Sequence, residues 1–114
     1  MVADDDQDIL DMLTTVLISN GFHVQTSFNG ESIEKLVVAE NPDLLLLDIR
    51  MSGRSGKDIC HTLKQNQATQ HLPIILISAN PDIAQTAEEC GADGFVRKPF
   101  NIRQLLDKLK QYVE

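Results

Sequence analysis

The chain has 114 residues, with 10 Lys and Arg against 17 Asp and Glu, a formal charge of −7, and 42% hydrophobic side chains. That is apolar material for one packed core of ordinary domain size, and too much for a disordered chain. The acidic balance and the lack of any Lys/Arg-rich run argue against direct nucleic-acid binding and against anionic membrane surfaces, both of which draw on positive charge.

The N-terminus, MVADDDQD, is acidic where a secretory signal would be basic and then apolar, and no apolar stretch approaches the roughly 20 residues that cross a bilayer. A cytoplasmic protein is expected. No repeat, linker or low-complexity tract divides the chain, so residues 1–114 are read as one domain. After a very short first strand, Met1–Ala3, a helix is predicted with Ile9, Met12, Leu13, Val16 and Leu17 on one face and Gly21 as its stop. Phe22, Val24, Thr26 and Phe28 alternate with polar residues, the period of an edge strand. A second helix carries Ile33, Leu36 and Val37.

Asn41-Pro42 precedes the run Asp43-Leu44-Leu45-Leu46-Leu47-Asp48, which suits a central parallel strand buried on both faces. Residues 51–56 read as a loop, and a third helix runs through Ile59 and Leu63. Ile74–Ile77 repeats the buried-strand pattern and ends at Ser78. Asn80-Pro81 resembles an N-cap followed by proline at the first helical position, opening a short, thinly apolar fourth helix with Ile83, Ala84, Ala87 and Cys90 inward and Gly91 as its stop. A last strand spans 93–96, and Asn101–Gln104 resembles a capping box for a final helix striped by Ile102, Leu105, Leu106, Leu109 and Val113. Cys60 and Cys90 show no C-x-x-C spacing and are read as reduced thiols; His23, His61 and His71 share no ligand spacing.

Strands alternating with helices build a doubly wound α/β parallel sheet, whose ligands bind beyond the strands' carboxyl ends. The residues just past those ends are Asp4, Asp5, Asp48, Ser78 and Lys98. A like-charge pair at about 4 Å costs about 4 kcal/mol at an effective dielectric near 20, so converging carboxylates call for a cation. Hard oxygen donors suit Mg²⁺, or Mn²⁺, better than zinc. Carboxylate, lysine and hydroxyl together hold the parts for phosphoryl transfer onto an aspartate, and Asp48, at the end of a rigid apolar strand, is the expected nucleophile.

These residues resemble the response-regulator receiver domains of two-component signalling systems. The V-A-D-D-D cluster, the L-L-L-L-D-I-R-M, I-I-L-I-S-A and G-A-D-G-F blocks and the final K-P-F follow the family's order across essentially the whole chain. The resemblance implies a CheY-like sheet of order 2-1-3-4-5 with five helices. It implies Asp48 as phosphoacceptor for a histidine kinase or phosphotransfer protein. Mg²⁺ would bind Asp5, Asp48 and the Arg50 backbone carbonyl, with Asp4 acting through a water. Ser78 would bond a phosphoryl oxygen, and Lys98 the phosphoryl group or its neighbouring carboxylates. Phe95 matches the family's switch aromatic, and Lys98-Pro99 is expected to be cis. The thin fourth helix, last strand and last helix would form the switching face.

The departures are few. The first strand is shorter than the family's, as for a chain that starts inside its native first strand. Met51-Ser52 stands for the common Met-Pro, loosening that loop without removing a ligand. Gly94 stands where dimerising members often carry Asp, which leaves a monomer or weak dimer as the expectation. Arg50 and Asn80 hold positions that tune phosphoryl lifetime. Among rival readings, an EF-hand fails because Ile9 and Thr15 stand where Gly and Glu are required. A haloacid-dehalogenase-type hydrolase would need an acid where Arg50 stands. A phosphate-independent interaction module is the remaining alternative.

Overall fold

The computed structural model describes residues 1–51 and 53–113; Ser52, where a looser loop is expected, and Glu114 lie outside the described residues. Among the described residues, parallel strands β1 (Val2–Ala3), β2 (Thr26–Ser27), β3 (Leu45–Asp48), β4 (Ile74–Ser78) and β5 (Gly94–Arg97) form one sheet in the order β2-β1-β3-β4-β5. Between and after them run α1 (Gln7–Ser19), α2 (Ile33–Glu40, entered by a 3-10 turn at Gly30–Ser32), α3 (Gly56–Gln65), α4 (Ile83–Cys90) and α5 (Ile102–Lys110).

The unbroken apolar runs of β3 and β4 follow from burial on both faces. On one side Ala3, Leu45, Leu47, Ile74 and Leu76 pack against α2, α3 and α4 through Ile33, Val37, Ile59, Leu63, Ile83 and Ala87. On the other, Val2, Leu46, Ile75, Ile77 and Val96 meet α1 and α5 through Leu10, Leu13, Leu17, Leu105 and Leu109. Burying each such aliphatic side chain contributes about 1.5–3 kcal/mol.

Register positions the strand ends. Ala3 lies beside Leu47, Asp48 beside Ile77, and Ser78 beside Arg97. The next residues of β1 and β5, Asp4 and Lys98, therefore reach the same edge as Asp48 and Ser78. The Lys98–Pro99 bond is cis, as expected.

Local differences from the sequence reading have physical causes. The buried residues of α1 are Leu10, Leu13 and Leu17; Leu13 and Leu17 lie on the predicted face, Leu10 joins them ahead of the half-buried Ile9, and Met12 is 42% exposed. Regular β2 is two residues long, and its one buried residue is Ser27; Phe28 is 64% exposed. At an open edge only one side is paired, so the alternation weakens before the strand ends. Helix α4 starts at Ile83 rather than beside Pro81: the Ile83 amide donates to the Asn80 carbonyl at 3.1 Å, closing a turn over residues 80–83 ahead of the helix, while the Asn80 side chain accepts from the Asp82 amide (2.8 Å). Ile83, Ala87 and Cys90 face inward as predicted, whereas Ala84 is exposed. Asn101 does cap α5, accepting from the Gln104 amide at 2.7 Å.

Candidate functional site

Three carboxylates converge beyond the carboxyl ends of β1 and β3. Oxygens of Asp4, Asp5 and Asp48 lie within 4.8 Å of one another. Asp4 is fully buried and Asp48 5% exposed, while Asp5 faces solvent. Lys98, carried in from the end of β5, places its Nζ 3.1 Å from Asp4 Oδ2 and 3.5 Å from Asp48 Oδ1. The Asp6 amide donates to Asp4 Oδ1 (3.0 Å).

Burial and, after it, the charge of Asp4 push the Asp48 carboxyl up to about 6; Lys98 and the Arg50 amide pull the other way without cancelling the rise. One ammonium does not neutralise three carboxylates. The donor set is oxygen only and keeps a solvent-facing member, Asp5, which fits a hard divalent cation such as Mg²⁺ rather than zinc.

Ser78 is buried at the end of β4, on the same edge. Its Oγ accepts from the Asn80 amide at 3.0 Å, and among the described residues no hydrogen bond joins it to Asp48. Its carbonyl holds the Lys98 amide at 2.9 Å, tying the ends of β4 and β5. Phe95 is half-buried on β5, packed against the layer that holds α4. The Arg97 guanidinium stands 5.4 Å from the centre of its ring, a cation–π contact that the sequence pattern did not reveal.

A second feature escaped the sequence reading. Gly56, first residue of α3, lies so close to the Asp48 loop that an added Cβ would sit 2.2 Å from the Asp48 carbonyl oxygen, and its amide donates to the Ile49 carbonyl at 2.7 Å. The backbone bearing Asp48 is thus braced by a close approach that only glycine allows. The available signal was a glycine directly after a helix-capping serine; Ser55 Oγ accepts from the Lys57 amide at 3.2 Å. A cavity of about 950 Å³ opens at the opposite, amino-terminal edge of the sheet between Val2, Phe22, Val24 and Leu44, away from the carboxylates.

Comparison with known proteins agrees with this geometry. Residues 1–110 match the response regulator receiver domain family. A putative response regulator from Chloroflexus aurantiacus is 30% identical, with a TM-score of 0.91 over 97% of this chain and 93% of that one. The receiver domain of NtrX from Brucella abortus is 29% identical (TM-score 0.85; 98% and 95% covered). The signal receiver domain of a signal transduction histidine kinase from Syntrophus aciditrophicus is 25% identical (TM-score 0.90; 98% and 86% covered). With its 2-1-3-4-5 sheet and its match over nearly the full length, this chain belongs to the response regulator receiver domain family of two-component signalling.

Proposed function

We propose that the chain is a phosphoacceptor signalling domain in which Asp48 takes a phosphoryl group from a histidine kinase or a phosphotransfer protein. The observation that carries this reading is a buried aspartate at the end of a rigid strand, paired with Lys98 and crowded by two further carboxylates. In the transfer, an Asp48 carboxylate oxygen attacks phosphorus and the donor's P–N bond breaks. The electron pair leaves with the imidazole nitrogen, which is then protonated. Mg²⁺, or Mn²⁺ in its place, would be held by Asp5, Asp48 and the Arg50 carbonyl, with Asp4 acting through a water, and would supply positive charge against the phosphoryl oxygens.

The chain's own groups do the rest. Lys98 shifts its ion pair from the carboxylates toward the new phosphoryl oxygens, and the Ser78 hydroxyl turns from the Asn80 amide to donate to one of them. Movement of Ser78 frees space beside Phe95 and biases the face built from α4, β5 and α5, so two arrangements of that face are populated differently before and after transfer. Water attack on phosphorus regenerates the carboxylate, with Arg50 and Asn80 flanking its approach. The domain acts as a signalling element rather than a conventional enzyme. It works as a monomer or weak dimer, without nucleic acid or membrane.

Amide NMR spectra tests this reading. Adding Mg²⁺ and then beryllofluoride, a phosphoryl mimic, should shift Asp5, Asp48 and Arg50 in the first step and Ser78, α4 and Phe95 in the second. Spectra unmoved by both additions would contradict it.

A further inference from the structure

The phosphoryl chemistry leaves two buried nucleophiles unused. Cys60 lies in the middle of α3 and Cys90 is the last residue of α4, on facing helices of one core layer, 0% and 2% exposed. Both are free thiols. Cys60 Sγ comes within 3.6 Å of the Cys90 carbonyl oxygen, and Cys90 Sγ within 3.7 Å of the Ala87 carbonyl oxygen. Thirty residues of sequence separate two cysteines that the fold packs side by side in one core layer.

We propose that Cys60 and Cys90 are a redox-active dithiol, oxidised by a hydroperoxide to an intrachain disulfide that joins α3 to α4. In the first step the Cys90 thiolate attacks a peroxide oxygen. The O–O bond breaks, hydroxide leaves with the electron pair and is protonated to water, and a sulfenic acid forms on Cys90. Cys60 then attacks that sulfur. The S–S bond forms, the S–O bond breaks, and the departing hydroxide takes the Cys60 proton as a second water. The two thiols give up two electrons and the peroxide accepts them.

The pair is asymmetric in the sense that this order requires. The neighbouring Cys60 side chain holds the Cys90 thiol down at about 7, while the Cys90 side chain and burial push Cys60 up, so Cys90 attacks and Cys60 resolves. Cys90 also sits where an oxidant gains access most easily. It ends an eight-residue helix and is followed by Gly91 at φ 81, and helix ends open at lower cost than helix centres. Where phosphorylation moves α4, a consequence that rests on the function proposed above, the disulfide would hold that helix against α3.

The test is the intact mass of the reduced chain after exposure to hydrogen peroxide, denaturation and alkylation with N-ethylmaleimide. Expected is the loss of two hydrogens, no alkylated thiol, linkage of the two cysteine-bearing peptides, and full reversal by dithiothreitol. Cys60→Ala should stop at a sulfenic acid on Cys90 that dimedone labels. Two alkylated thiols after peroxide, oxidation without linkage, or only disulfide-linked dimers would overturn the proposal. Asp48→Asn should oxidise as the wild type does, so failure here and failure of the phosphoacceptor reading are separately visible.

Discussion

Asp48 is a carboxylate that folding makes harder to ionise. Its folded-state value, raised from 3.8 to about 6 by burial and by Asp4, means that the folded chain binds a proton more tightly than the unfolded chain. The sign follows from linkage. This group favours the folded state below about pH 4, and that contribution is lost as pH rises through 6. In the metal-free protein Asp48→Asn should therefore raise stability at pH 7 by about 1–3 kcal/mol, a gain that shrinks toward zero near pH 4; urea unfolding at the two pH values measures it. Lys98 works in the opposite direction, since it is the cation beside fully buried Asp4. Lys98→Ala should cost about 1–3 kcal/mol at pH 7 and less at pH 4.5, where Asp48 is mostly protonated and repels Asp4 less. Equal losses at both pH values would show that Lys98 matters through its packing rather than its charge.

At the scale of elements, two contacts decide whether the site stays assembled. Gly56 lets α3 press on the Asp48 backbone, and Gly56→Ala puts a methyl where the Asp48 carbonyl oxygen already sits. That change should destabilise by about 2–4 kcal/mol and weaken Mg²⁺ binding with it, as seen by denaturant unfolding with and without the ion. The buried side chains of helix α4 are Ile83, Ala87 and Cys90. Ile83→Ala should cost about 2–4 kcal/mol and speed amide exchange in α4 ahead of β3 and β4.

The same elements explain what the sequence could and could not disclose. β3 and β4 were legible because burial on both faces leaves an unbroken apolar run, and Asp48, Ser78 and Lys98 were legible as the polar residues that end such runs. The edge strand was legible as a strand and as an edge, but not in its bounds or its inward face, since Phe28 is apolar yet 64% exposed and Ser27 is polar yet buried. The face of α1 was legible at Leu13 and Leu17 but not in its first turn, because both Ile9 and Leu10 are apolar and only packing chooses between them. The start of α4 was misplaced because Asn80 serves a turn as readily as a cap. Gly56, the stacking of Arg97 on Phe95 and the contact of Cys60 with Cys90 are long-range or backbone proximities, which no local pattern encodes.

For the whole molecule, the parallel sheet collects at one edge residues from both ends of the chain, and Lys98 to Asp4 spans 94 positions. Assembly of the site and folding of the sheet are therefore one event, and a cation that binds only the folded chain must stabilise all of it. The central claim is that this edge accepts a phosphoryl group on Asp48. Its most direct test is the intact mass of wild type and Asp48→Asn after incubation with acetyl phosphate, with and without Mg²⁺. The account predicts a Mg²⁺-dependent gain of one phosphoryl mass in wild type and none in the variant. No gain in wild type under any condition, or an equal gain in Asp48→Asn, would contradict it.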